Sequence, residues 1–177
     1  AFFLPDYPVE AEVKYRDNLV NAYDNTIRYT DSFLSRLIHM LEEQHVDAAM
    51  LYTSDHGEDI FDDSRHLFLH ASPVPSYYQL HVPFLIWMSD TYREAYPEHW
   101  QTVTGNKDKD VSSSCSFFPT MLELGGVETS YRNDAYSVVS PLYTMKPRVY
   151  LNDHNEPRPL DDLGMKQPDF QKCQVLG

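Results

Sequence analysis

Basic residues are scarce in this chain: 14 Lys and Arg stand against 27 Asp and Glu among 177 residues, a formal charge of −13. A field of that sign repels phosphate backbones and anionic lipid surfaces, so nucleic acid is not an expected partner, whereas divalent cations are compatible with it. Long apolar runs are missing as well. The cleanest, Val82 to Met88, is interrupted by Pro83 and falls short of the roughly 18 residues a membrane-crossing helix needs. Cysteine is rare: Cys115 and Cys173 lie far apart and form no CxxC pair, which argues against a zinc ribbon or redox motif and leaves one disulfide open. The opening AFFLPDYPVE has no initiator methionine, no basic n-region and no signal-type apolar segment, so a piece of a longer protein is expected. There is no internal repeat and no low-complexity tract.

What is present suits a buried core. Aromatic residues make up 14% of the chain, and its length falls within the usual size of one domain, so residues 1–177 are expected to form a single domain. From about Glu10 to Glu43, Leu19, Tyr23, Ile27, Phe33/Leu34, Leu37/Ile38 and Leu41 recur at spacings of three and four, which predicts one long amphipathic helix packed on one side. VDAAMLYTS follows without helical period and HVPFLIWMS reads the same way, so both are expected as buried strands of an α/β layer architecture. SDTYREAYPEHWQTV predicts one or two short surface helices, and TGNKDKD a loop turning at Gly105-Asn106. DVSSSCSFFPTMLELGGV predicts a helix with Pro119 in its first turn and a glycine C-cap. Residues 131–177 read as an irregular, proline-rich extension with a short strand at Arg148 to Asn152, a turn at Asp153 to Pro157 and a return segment.

The chemistry concentrates in LYTSDHGEDIFDDSRHLFLHASP, residues 51–73. Asp55 and His56 sit where the first strand should run out, and Gly57 allows a turn there. Neighbours on a continuing strand point to opposite faces, so both can reach one ion only if the strand has ended. A carboxylate and a neutral imidazole suit zinc or a similar divalent metal; the competing reading is a polar strand end whose Asp caps the next turn. His66 and His70 follow at a spacing of four, in a stretch that Pro73 and Pro75 make a loop. Glu58, Asp59, Asp62 and Asp63 read as a solvated acidic turn without the regular alternation of an EF-hand.

SDHGE, followed a dozen residues later by LHASP and then by HVPFLIWMSD, resembles the metal-binding end of the phosphoethanolamine transferases, members of the alkaline phosphatase and sulfatase superfamily. LVNAYDNTIRYTDSFLSRLIHMLEE at 19–43 resembles the long helix that precedes the Asp-His strand in that family, and SFFPTMLELGGVET extends the resemblance, which covers about residues 10–130. The resemblance implies the C-terminal portion of a layered sheet flanked by helices, with 1–130 as the family-like core. It implies that Asp55 and His56 are ligands of a catalytic zinc, that His70 lies near the phosphoethanolamine group or a second metal, and that Glu58 orients the loop. Ala71 stands where the family usually has glycine, and His66 has no counterpart.

By the same resemblance, the nucleophile is a threonine upstream of Ala1, along with a further acidic zinc ligand, so Thr53, Thr104 and Thr120 are not promoted to that role. The implied activity is transfer of phosphoethanolamine from a phospholipid donor to an envelope glycolipid such as lipid A or core sugar. The site would be the periplasmic face of the bacterial inner membrane, in a longer protein anchored by an upstream segment; the 177 residues alone would not turn over. A sulfatase of the same superfamily and a non-catalytic metal-binding or interaction fragment are the alternatives.

Overall fold

The computed structural model describes residues 11–70, 74–145, 147, 149–152 and 154–159. After a short 3-10 turn at Val13–Tyr15, helix α1 spans Arg16–Glu43, close to the expected length. Of its apolar stripe, Leu19 is buried and Tyr23, Leu34, Leu37, Ile38 and Leu41 are half-buried, but Ile27 and Phe33 are exposed, so the expected one-sided packing holds for only part of the helix. The chain then divides into two compact units, one of residues 1–39, 55–82 and 149–177 and one of residues 40–54 and 83–148.

In the second unit β1 (Ala49–Thr53) pairs antiparallel with β4 (Phe84–Met88), in register from Ala49 opposite Met88 to Thr53 opposite Phe84. These are the two strands read from the sequence, and Pro83 stands just before β4, where a missing N–H breaks no rung. Burial is less complete than their composition suggests: Met50 and Met88 are buried, while Leu85 faces outward. Ser89 ends β4 and caps α3 (Asp90–Ala95) by accepting from the Tyr92 amide at 3.1 Å, and α4 (Pro97–Asn106) follows with proline at its start, where its missing donor is harmless. Helix α4 continues through Gly105 and Asn106, where a turn was expected. Asn106 is held by its side-chain amide donating to the Val138 carbonyl at 2.9 Å.

Met88, Tyr92, Val138, Val139 and Tyr143 form the core of this unit. Val138, Val139 and Tyr143 thus belong to the packed interior, although the sequence there has the irregular character expected of 131–177. Two buried tyrosine hydroxyls of this core are hydrogen-bonded, as low-dielectric surroundings favour. The Tyr92 hydroxyl donates to the Leu124 carbonyl at 2.7 Å and meets His99 Nδ1 at 2.9 Å, with burial pushing its pKa up to about 12. Tyr143 donates to the Asp110 carbonyl at 2.8 Å.

Helix α5 spans Ser113–Leu124 and carries Pro119 in its interior rather than in its first turn, so one intrahelical donor is lost at mid-length. Its end is as the glycines predict. Gly126 takes a φ of +63°, its amide donates to the Glu123 carbonyl at 3.0 Å, and the Val127 amide reaches the Leu122 carbonyl at 2.8 Å, which is a Schellman motif.

In the first unit a two-residue hairpin pairs β2 (Asp59–Ile60) with β3 (Phe68–Leu69), and a single-turn helix α2 (Tyr77–Leu80) follows, capped by Ser76. Strands β5 (Val149–Leu151) and β6 (Pro157–Pro159) form the expected second hairpin, with Asn155 at φ +59° in its turn; Arg148 and Asp153 lie outside the described residues. Cys115 is an exposed free cysteine, and Cys173 lies outside the described residues.

Because only glycine takes a left-handed φ without strain, Gly126→Ala should lower stability by about 1 kcal/mol and the thermal midpoint by roughly 2–4 °C, read by circular dichroism.

Candidate metal centre

Strand β1 stops at Thr53, and the loop that opens at Asp55 holds the expected ligands. The Asp55 carboxylate is 87% exposed and lies 3.7 Å from His56 Nε2. Two ligands of one tetrahedral ion at about 2 Å stand roughly 3.3 Å apart, so this pair is close to coordinating spacing. His56 Nδ1 is 3.1 Å from the Gly57 carbonyl, which can only accept, so in the neutral ring this contact places the proton on Nδ1 and leaves Nε2 the lone pair a metal needs.

Gly57 has a different purpose from the turn expected of it. Its φ is not left-handed; instead the backbone of α2 passes against it, with the Gly57 amide donating to the Gln79 carbonyl at 2.8 Å, and a Cβ there would overlap the Tyr78 carbonyl oxygen. The close approach holds the Asp-His loop onto α2.

His70 comes to the same place through the register of the β2–β3 hairpin. Asp59 faces Leu69, so the next rung out sets Glu58 opposite His70. His70 Nδ1 donates to the Glu58 carboxylate, 2.9 Å from Oε1 and 3.1 Å from Oε2, and the His56 and His70 rings stand 3.8 Å apart between centroids. One ligand atom from each of His56, Glu58 and His70 lies within 4.8 Å of the others. Two imidazoles and carboxylates are a donor set suited to zinc, and Asp55, His56, Glu58 and His70 are the residues that could hold it.

The acids behind the centre are not a solvated turn. Asp59 is 1% exposed and accepts from the Gln79 side-chain amide, with a further hydrogen bond to Ser76. Desolvation outweighs these bonds and raises its pKa above the ordinary carboxylate value. Asp62 and Asp63, with side chains 14% and 6% exposed, pair with Arg16 and Arg65 at 2.8 and 2.6 Å. Their partners are distant or on the far limb of a turn, which a local reading of acidic composition does not see. His66 is exposed, with a left-handed φ of +52°. The three threonines spend their hydroxyls on backbone: Thr53 on the Ser54 carbonyl, Thr104 on Trp100, and buried Thr120 on the Val138 amide.

A family model described as Sulfatase matches residues 2–127. The chain belongs to the sulfatase family. Among curated relatives it is 33% identical over 131 residues to phosphoethanolamine transferase EptA of Salmonella typhimurium, covering 71% of this chain and 23% of that protein. Among solved structures, the C-terminal periplasmic domain of EptC from Escherichia coli in complex with zinc matches with a TM-score of 0.74 at 23% identity, over 93% of this chain and 45% of that one. The corresponding EptC domain of Campylobacter jejuni matches with a TM-score of 0.63 at 29% identity, over 75% of this chain and 41% of that one. The chain thus has the layered sulfatase-type fold expected of it, and it spans about a quarter of the length of the curated relatives it matches.

Two outcomes follow from this loop. Gly57→Ala should cost about 1–3 kcal/mol by overpacking against the α2 backbone, measured by denaturant unfolding. Asp59 binds its proton more tightly when folded than unfolded, so its contribution favours the folded state at low pH and is lost as pH rises from about 4 through the raised value. Asp59→Asn should lack that loss, so the variant's thermal midpoint should gain on wild type across that window.

Proposed function

We propose that this chain is part of a zinc-dependent phosphoethanolamine transferase, and that its 177 residues form one C-terminal part of the catalytic domain. The observation that carries the reading is that Asp55, His56, Glu58 and His70, the chemistry-bearing residues of the SDHGE…LH pattern, gather in one loop cluster. The relatives named above are transferases, and sulfatase describes only the family as a whole.

In this reading Asp55 and His56 would hold the ion, with His56 oriented by the Gly57 carbonyl. Bound zinc supplies Lewis-acid stabilisation of charge on the phosphoryl group and lowers the pKa of an attacking hydroxyl. His70 faces the phosphoethanolamine group. Its Nδ1 proton is held by Glu58, so the neutral ring presents Nε2 as its basic nitrogen. Transfer is a double displacement. A threonine upstream of Ala1 attacks phosphorus and releases the diacylglycerol of a phospholipid donor; the acceptor hydroxyl of a glycolipid such as lipid A or core sugar then displaces the threonine. The substrates place the reaction at the periplasmic face of a bacterial inner membrane. No helix among the described residues is long and apolar enough to cross a membrane; in this reading the full-length protein is anchored by a segment outside this chain.

In the full-length enzyme, Asp55→Ala or His56→Ala should abolish both zinc retention and transfer, while His70→Ala should impair transfer with less loss of metal. Elemental analysis beside a transfer assay with phosphatidylethanolamine checks this; full activity in the Asp55 variant overturns the assignment.

A further inference from the structure

Arg16 lies at the first position of α1, far in sequence from the candidate centre, yet its guanidinium reaches the β2–β3 hairpin twice. Nη2 donates to Asp62 Oδ1 at 2.8 Å and Nε to the Phe61 carbonyl at 3.3 Å. Asp62 returns its other oxygen, Oδ2, to the Ile60 amide at 2.7 Å. One arginine therefore fixes the side chain and the backbone of three consecutive hairpin residues, at a point where Asp62 is mostly shielded from solvent.

The hairpin needs such a fixture. It has two ladder rungs, and a two-stranded ribbon of that length is at best marginal in water. Beyond the rungs, the Phe61 amide meets the Leu67 carbonyl at 2.9 Å, the Phe61 and Phe68 rings stack at 5.3 Å, and Arg65 closes the tip on Asp63. Three non-glycine residues of this short segment, Phe61, His66 and Leu69, hold left-handed φ values of +57°, +52° and +63°. Such residues persist only where the surroundings over-determine them, and the last of them immediately precedes His70. The register matters because a slip of one residue turns every hairpin side chain to the other face and parts His70 from Glu58.

We propose that Arg16 is a positioning residue for His70: through Asp62 and the Phe61 carbonyl it locks the register of the β2–β3 hairpin, which sets His70 against Glu58 and fixes the protonated ring nitrogen as Nδ1. The catalytic consequence rests on the transferase reading above; the structural one does not. Arginine is required because one planar fork serves two acceptors at different angles, which a lysine ammonium on a flexible stem does not reproduce.

Two measurements test this. Long-range 1H–15N spectra of the histidine rings in the 177-residue chain, recorded in alkaline buffer, report the His70 tautomer. Wild type should show one form protonated at Nδ1. Arg16→Gln and Asp62→Asn, both near-isosteric, should give averaged tautomers for His70 and leave His99, in the other unit, unchanged. A single Nδ1-protonated His70 in both variants overturns the proposal, and so does an equal disturbance of His99, which marks general unfolding. In the full-length enzyme, Arg16→Gln should lower kcat for phosphoethanolamine transfer by about 10-fold or more, with KM for the donor within about threefold of wild type. Added to His70→Ala it should cost nothing further, and an additive double variant overturns the proposal. If the wild-type enzyme transfers no phosphoethanolamine, the function proposed above falls, while the ring spectra still decide the role of Arg16.

Discussion

Two rungs, Asp59 opposite Leu69 and Ile60 opposite Phe68, decide which side chains meet at the candidate centre. Antiparallel pairing makes neighbours of residues that are distant in sequence, and here the rung beyond the ladder joins Glu58 to His70. The other contacts described around the centre hold that short ladder in place. Gly57 lies flush against the backbone of α2, Asp59 is sunk among Ser76 and Gln79, and Asp62 and Asp63 are each held by an arginine. A candidate centre built on so little regular structure depends on its surroundings for precision, and the buried polar residues beside it supply that.

The division of labour among the acids follows from burial. Asp55 projects into solvent, where an ionised carboxylate is well hydrated and can turn toward a cation. Glu58 is partly shielded and spends both oxygens on one imidazole. Asp59, one position further on, is almost fully buried and has become part of the interior, its charge disfavoured by desolvation. The five positions from Asp55 to Asp59 therefore pass from a potential ligand to a structural group, and alternation across the strand accounts for the contrast between Glu58 and Asp59.

Much of the fold was legible because periodicity and turn chemistry are local signals. The long helix, the two strands around Met50 and Ile86, the glycine stop after Leu124 and the second hairpin are all where spacing places them. That Asp55 and His56 could approach each other was legible for a similar reason, since the strand ends before them. What was not legible depends on partners brought in from afar. The acidic run looked solvated because Arg16, Ser76 and Gln79 are not its neighbours in sequence. Gly57 looked like a turn because nothing local announces the α2 carbonyl beside it. Val138 and Val139 lie in a segment without period, yet they fill the core of the second unit. Pro119 was expected at a helix start on propensity alone, and the packing of α5 overrides that preference.

The left-handed residues of the hairpin have an energetic meaning of their own. Each non-glycine residue held at positive φ stores on the order of 1–3 kcal/mol that is released when the segment opens. With Phe61, His66 and Leu69 all in that state, the hairpin carries strain that its contacts to Arg16, Arg65 and Gln79 must offset. The position of His70, next to Leu69, is therefore set by those contacts against the local backbone preference rather than by it.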